Sequence, residues 1–387
     1  MSKNIVPRIR FKRFNSVWEE DRIADIVKIS AGGDVDKVKL KESGKYPVIA
    51  NALTNKGIVG FYEDYKVKAP AVTVTGRGDV GYAVARHENF TPIVRLLTLQ
   101  SEKIDVDYLE NQINSMRILN ESTGVPQLTA PQLGNYKVYY PKIEEQSAIG
   151  TLFRTLDDLL SSYKDNLANY QSFKATMLSK MFPKAGKTVP EIRLDGFEDE
   201  WEKGTIGEFG SFYYGKSAPK WSVTDEATTP CVRYGELYTK FSTKIDKIYS
   251  YTSIPKENLK LSSGNEVLVP RVGENPLDFA NCSWLSLKDV AIGEMISVYN
   301  TPNNPLFIAY YFNAKMRKEF AKRVEGGSVA NLYYTYLENI SISVPSLPEQ
   351  QAIGSYFSNL DNLINSYQEK ISQLETLKKK LLQDMFI

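Results

Sequence analysis

Few residues in this chain have the types and spacing that covalent chemistry requires. Gly76-Arg77-Gly78-Asp79-Val80-Gly81 spells the glycine pattern of a dinucleotide-binding turn. That pattern holds a pyrophosphate only where it opens a helix. Here YAVAR and PIVRLLTL follow, which read as strands, so a tight turn is expected instead. His87 is the only histidine, and neither a histidine triad nor a histidine-rich metal site is expected. Cys231 and Cys282 stand apart and read as buried small residues. Asn304-Pro305-Leu306-Phe307 is the nearest approach to the Asn-Pro-Pro-aromatic run of amino-methyltransferases, and it lacks the second proline. No Pro-Asp dipeptide occurs, and no two carboxylates are spaced as acid and base. No catalytic site is expected.

The elements that carry these residues form a direct repeat. PRIRFKRFNSVWEE (7–20) returns as PEIRLDGFEDEWEK (190–203), an offset of 183. GVPQLTAPQLGNYKVYYP (124–141) returns more loosely as SVANLYYTYLENISISVP (328–345). Residues 141–182 match 345–386 at an offset of 204, with 16 identities in 42 positions. Each half is therefore a short framework block, a long divergent stretch and a framework helix. The second divergent stretch is about 21 residues longer.

The two framework helices carry a heptad seam. Ile149, Phe153, Leu156, Leu160, Tyr163 and Leu167 follow 4-3 spacing, as do Ile353, Phe357, Leu360, Ile364, Tyr367 and Ile371. Both seams run on for five heptads, interrupted only by Lys174 and Lys378 at equivalent places. Gly150 and Gly354 each cost about 1 kcal/mol inside a helix, which points to close backbone packing near the helix start. Residues 46–50, 70–75, 81–86 and 92–99 read as strands, and 105–119 and 305–324 as one helix per divergent stretch. If the long helices pair antiparallel, the connectivity places the two divergent domains at opposite ends of a rod about 54 Å long. The expected class is α+β: two mixed α/β domains separated by an antiparallel coiled coil, with a pseudo-two-fold repeat. The expected limits are 1–143, 144–183, 184–346 and 347–387.

Composition bounds the reading from outside. A chain of 387 residues, 42% apolar and 24% charged, suits two or more globular domains. No apolar run is long enough to cross a bilayer, the basic start lacks an apolar signal core, and two cysteines suit a reducing cytoplasm. A net charge of +2 does not by itself suggest nucleic acid. DNA binding would require locally clustered charge or partner chains that neutralise phosphates.

The framework blocks PKIEEQSAIGTLFRTLDDLL and PSLPEQQAIGSYFSNLDNLI, with the openings IRFKRFNSVWEE and IRLDGFEDEWEK, resemble those of type I restriction–modification specificity subunits. The resemblance covers nearly the whole chain. It implies two target recognition domains, each reading one half of a bipartite, asymmetric double-stranded DNA sequence across a nonspecific gap. It also implies helices that dock two methyltransferase subunits, and restriction subunits that complete the nuclease. S-adenosylmethionine would belong to the modification subunits and ATP with Mg to the restriction subunits, leaving this chain without a cofactor.

Arg pairs with guanine and Asn or Gln with adenine in groove readout. On that chemistry Arg77 and Arg271, each after an apolar strand at comparable points, are the leading candidates for DNA contact. Asn51 and Lys56 in the first domain, and Lys216, Lys220, Arg233 and Tyr234 in the second, follow in loop-like sequence. The run Lys315, Arg317, Lys318, Lys322, Arg323 reads as a solvated helix face, with phosphate contact as the alternative. A two-headed scaffold bridging two proteins without DNA specificity is the competing function.

Overall fold

The computed structural model describes residues 6–118, 125–216 and 218–386. By contact the chain forms two compact units, residues 1–165 with 368–387, and 166–367. Each unit takes part of both long helices.

Unit 1 is built on a four-stranded antiparallel sheet in the order Lys28–Ala31, Leu96–Gln100, Ala71–Thr75, Ala83–Arg86. Ala71–Thr75 (AVTVT) is buried throughout, which suits its small and β-branched residues. A second sheet joins Ile58–Tyr62, Tyr46–Ile49 and Thr91–Pro92. The stretch expected as one strand over 92–99 is two, because Arg95 takes a left-handed φ of 73° and breaks it. The strand expected from residue 81 begins at Ala83, since Gly81 (φ 86°) belongs to the turn. Helix α1 (Val106–Ser115) opens at Asp105, whose carboxylate accepts from the Tyr108 amide at 3.0 Å. It ends before the expected 119, a residue that lies outside those described. Helix α2 is Ile143–Lys180.

Unit 2 repeats this scaffold on a divergent sequence. Its sheet runs Ser211–Tyr214, Ile296–Asn300, Glu266–Pro270, Ser283–Leu285, with Lys244–Ile245 added at the edge. Val72 opposite Leu99 in unit 1 returns as Val267 opposite Tyr299. Helix α3 (Pro305–Tyr311) is capped by Asn304, which accepts from the Phe307 amide at 2.9 Å. The expected helix over 305–324 is not regular: Phe312–Met316 winds as π-helix before α geometry resumes at Arg317–Ala321. In both units one asparagine ties this helix to the sheet. Asn114 brackets the backbone N–H and C=O of Ala83 at 2.9 and 3.0 Å, and Asn313 brackets those of Cys282 at 2.7 and 3.0 Å. Helix α4 is Leu347–Met385.

The long helices pair antiparallel within each unit. In unit 1 Lys164 of α2 meets Glu375 of α4 at 2.7 Å, and Asp157 meets Lys378. In unit 2 the Tyr170 and Tyr367 rings lie 5.4 Å apart, and Lys174 meets Asp361. The lysines that interrupt the seam thus bond to aspartates that are themselves repeat equivalents, and a polar pair at a seam specifies register. Ile149, Phe153, Leu156, Leu160, Ile353, Phe357, Ile364 and Ile371 are buried; Tyr163, Leu167, Leu360 and Tyr367 are half-buried. A methyl group at Gly150 would lie 2.7 Å from Asp105 Oδ1 and 2.9 Å from the Tyr108 amide, so the helix start tolerates no side chain. Gly354 is looser, its nearest neighbour 3.4 Å away.

Each core closes on four equivalent aromatic rings. Trp18, Tyr108, Phe153 and Phe386 cluster in unit 1, and Trp201, Phe307, Phe357 and Phe182 in unit 2. The end of α4 therefore completes unit 1 and the end of α2 completes unit 2. The framework openings strap those ends: Ile9 N–H donates to Asp384 C=O at 2.9 Å, and Ile192 N–H to Lys180 C=O at 3.1 Å. Arg10 then clamps Glu145 with two bonds of 2.6 Å, and Arg193 clamps Glu349 at 2.8 and 2.7 Å. Both carboxylates are fully buried, which only so close a charged partner makes tolerable.

Candidate nucleic-acid interface

The strands deliver polar loops at their ends. In unit 1 the segment after Tyr46–Ile49 carries Asn51 and Lys56, and the turn after Ala71–Thr75 carries Arg77. No helix follows that turn. Gly81 N–H returns to Thr75 C=O at 2.8 Å, and Gly78 (φ 74°) leaves open space where a side chain would stand, so the glycines serve a β-turn. Asn51 lies against it: its Oδ1 accepts from the Gly76 amide at 2.7 Å and the Arg77 amide at 3.2 Å, while its Nδ2 donates to Arg77 C=O at 2.7 Å. The Asn51 amide is therefore engaged in shaping the turn, whereas the Arg77 side chain stands exposed. Lys56 is exposed, with a left-handed φ of 50°, and its C=O accepts from Arg86 Nη2 at 2.7 Å. Asn51, Lys56 and Arg77 thus belong to one rim, joined through Asn51 and Arg86.

In unit 2 Lys216 and Arg233 stand on either side of Ile292-Gly293. The Lys216 amide donates to Ile292 C=O at 2.8 Å, and the Gly293 amide to Val232 C=O at 2.9 Å. Lys216, Lys220 and Tyr234 are exposed, and Arg233 is half-buried. Arg271 is held differently. Its guanidinium carbon lies 4.4 Å from the Tyr214 ring centroid and 5.4 Å from that of Tyr333.

The two arginines do not occupy comparable points. Gly76 N–H bonds Arg95 C=O and Gly76 C=O receives Leu128 N–H; Arg271 N–H bonds Met295 C=O and Arg271 C=O receives Leu332 N–H. Arg271 is therefore the counterpart of Gly76, one residue before Arg77. Strand endings read from sequence carry that uncertainty, since only the ladder fixes register. The basic run of unit 2 is largely consumed by structure. Lys315 Nζ donates to Ser179 C=O at 2.8 Å near the end of α2, Arg317 faces Asp278 at 3.5 Å, and Lys322 and Arg323 pair with Glu319.

Two residues of the rims escaped sequence reading. Arg86 donates Nε to Thr73 Oγ1 at 2.9 Å as well as Nη2 to Lys56, and burial lowers its pKa to about 10. Trp221 is 72% exposed beside Lys220, and the basic–aromatic pair Lys220-Trp221 is the signal that could have found it.

The residues whose types suggested chemistry are taken up by the structure. Asn304 caps α3 and its amide donates to Gln350 Oε1 at 2.8 Å. His87 Nε2 lies 2.8 Å from Asp107 Oδ1, and Arg154 holds the other oxygen at 3.1 Å. Cys231 and Cys282 are free and buried, and burial pushes the Cys231 thiol up to about 11. Among the described residues no group of three or more His, Cys, Asp or Glu could hold a metal ion. No described helix is long and apolar enough to cross a membrane.

Two similar scaffolds with different polar rims, each closed by a framework helix, have a counterpart among known families. The type I restriction modification DNA specificity domain matches residues 15–169 and again 198–376. The chain belongs to that family. It is similar to the type I restriction enzyme MjaVIII specificity subunit of Methanocaldococcus jannaschii, at 22% identity over 94% of this chain and 91% of that one. It is also similar to the putative type I specificity subunit S.MgeORF438P of Mycoplasma genitalium, at 20% identity over 98% and 97%. Its fold resembles the solved type I restriction-modification system S subunit from M. genitalium, with a TM-score of 0.68, 16% identity and 99% of both chains covered. Membership in this family sets aside the protein-bridging scaffold. The two family matches fall on the two repeats, so one DNA specificity domain occurs twice in this specificity chain.

Proposed function

We propose that this specificity subunit reads a bipartite, asymmetric DNA target, one half through the rim of each unit, and carries no catalysis of its own. The observation that carries the reading is the duplicated specificity domain, whose scaffold repeats while its rims differ. Two unlike rims suit two unlike half-sites. Arg77, Lys56, Lys216, Lys220, Arg233, Tyr234 and Arg271 supply the DNA contacts, and Asn51 shapes the turn that presents Arg77.

The helices dock two methyltransferase subunits and set the gap between half-sites. Support comes from apolar residues left exposed at repeat-equivalent places, Ile143 with Leu347, Leu159 with Leu363 and Phe173 with Leu377. A surface repeated twice suits one partner bound twice. Restriction subunits complete the complex in the cytoplasm, S-adenosylmethionine is bound by the modification subunits, and ATP with Mg by the restriction subunits.

The experiment is methylation, by the chain reconstituted with its methyltransferase partner, of duplexes with randomised half-sites and gap lengths. A two-part preference across a fixed gap is the expected result. A single contiguous site, or methyl transfer by the purified chain alone with labelled S-adenosylmethionine, would overturn the proposal.

A further inference from the structure

We infer that Arg271 reads a guanine in one half of the target, and that Tyr214 and Tyr333 are the positioning residues that hold its guanidinium ready. The inference rests on the reading that unit 2 recognises one half-site. An arginine gives up rotamer freedom when a ligand immobilises it. Here much of that loss is met before binding. The guanidinium lies against two tyrosine faces, and the Tyr214 ring itself packs 4.6 Å from Tyr334, which stacks on Phe212 with planes 3° apart. The backbone on both sides is tied down, through Arg271 N–H to Met295 C=O at 3.2 Å and Leu332 N–H to Arg271 C=O at 2.8 Å.

What the guanidinium lacks is an acceptor. Among the described residues no carboxylate pairs with it, and its buried Nε has no hydrogen-bond partner. Arg86 shows the contrasting, purely structural case, with its donors committed to Thr73 and Lys56. A half-buried fork held by ring faces alone has unused donors in a fixed plane. The exposed ammonium groups of Lys216 and Lys220 can follow a phosphate over a range of positions, whereas a locked planar fork suits two acceptors on one rigid edge. Guanine O6 and N7 in the major groove are that edge.

The reconstituted complex is assayed for methylation of single-base variants of its selected target, with Arg271→Ala, Arg271→Lys and Tyr214→Ala compared at two salt concentrations. Arg271→Ala is expected to relax discrimination about 5- to 150-fold at one G·C pair of one half-site and nowhere else. Arg271→Lys keeps the charge and loses the fork, so it should relax the same pair with an unchanged salt slope, and it serves if the alanine variant does not fold. Tyr214→Ala should weaken the same pair to a smaller extent. Replacing that guanine by 7-deazaguanine should weaken the wild-type complex and leave Arg271→Ala indifferent. Weakening of all sequences with a salt slope lowered by about one makes Arg271 a phosphate contact and overturns the inference, as does an unchanged target. If the wild-type complex shows no bipartite preference, the reading beneath the inference fails first.

Discussion

Unit 1 and unit 2 hold similar scaffolds with bonds of two kinds. At the framework the bonds repeat with their residues: Arg10–Glu145 with Arg193–Glu349, and Lys378–Asp157 with Lys174–Asp361. Inside the divergent stretches the architecture repeats while most residues do not. Tyr108 of one aromatic quartet becomes Phe307 in the other, and where unit 1 presents an exposed Arg77 on a turn shaped by Asn51, unit 2 has Arg271 packed against tyrosines. The offset between matched residues is 183 at Ile49 and Val232, 195 at Val72 and Val267, 200 at Leu99 and Tyr299, and 204 at Leu128 and Leu332. The largest insertion thus falls between Val232 and Glu266, where unit 2 adds the helix Tyr234–Thr239 and the edge strand Lys244–Ile245, while Ser250–Thr252 is the counterpart of Ile58–Tyr62. The difference teaches that the scaffold is held by few polar anchors and equivalent aromatic quartets, so the rims are free to change.

The comparison can be broken most sharply at its buried clamps. Glu145→Ala and Glu349→Ala each leave an arginine without its partner in a site with little solvent, and should destabilise by about 3–5 kcal/mol. Glu349→Ala should cost more, because Trp201 Nε1 also bonds Glu349 at 3.3 Å while Trp18 Nε1 has no partner among the described residues. Denaturant titration of both variants checks the order; equal losses would show that the tryptophan bond contributes nothing.

The units should also differ in their response to pH. Burial, reinforced by Asp157, raises the Glu110 carboxyl to about 7; Lys378 lowers it and Asp107 raises it slightly. Ala309 holds the matching place on α3, so unit 2 has no such group. A carboxyl whose folded pKa is raised favours the neutral form, so its penalty is absent below about pH 4.5 and grows as pH rises through 7. Glu110→Gln should therefore add up to about 3 kcal/mol at pH 8 and change little at pH 4.5. Melting curves at the two pH values test this; a pH-independent gain would assign the effect to packing.

Readout should be divided between the units. Arg77→Ala is expected to relax one half-site and Arg271→Ala the other, each by about 1–3 kcal/mol in discrimination. Methylation of single-base variants decides it, and two variants acting on the same half would contradict the division.

The seam lysines sharpen the comparison at smaller cost. Lys174 and Asp361 are both largely buried, and Asp361 also accepts from the Tyr310 hydroxyl at 2.6 Å, whereas Asp157 is 41% exposed opposite Lys378. Lys174→Ala should cost about 1–2 kcal/mol and Lys378→Ala under about 1 kcal/mol. The matched double replacement Lys174→Leu with Asp361→Leu should recover stability in a double-mutant cycle.

Sequence alone determined the duplication, the two long helices, the seam residues and the strand-borne position of Gly76–Gly81. These are periodic or repeated features, and periodicity follows from helix and strand geometry without knowledge of partners. The family too was legible, because the framework blocks keep their words: Glu145 and Glu349, Gln146 and Gln350, Gly150 and Gly354 each meet an equivalent neighbour. Only the tertiary structure decided that Lys174 and Lys378 complete the seam instead of weakening it, since their aspartate partners lie 187 and 221 residues away. It also decided that Asn51 shapes a turn, that Arg86 supports a loop, and that Arg271 matches Gly76. Each depends on which strand lies beside which and in what register, a choice made by the whole sheet and core. The same polar residue types would have read identically on sequence had they faced the opposite way.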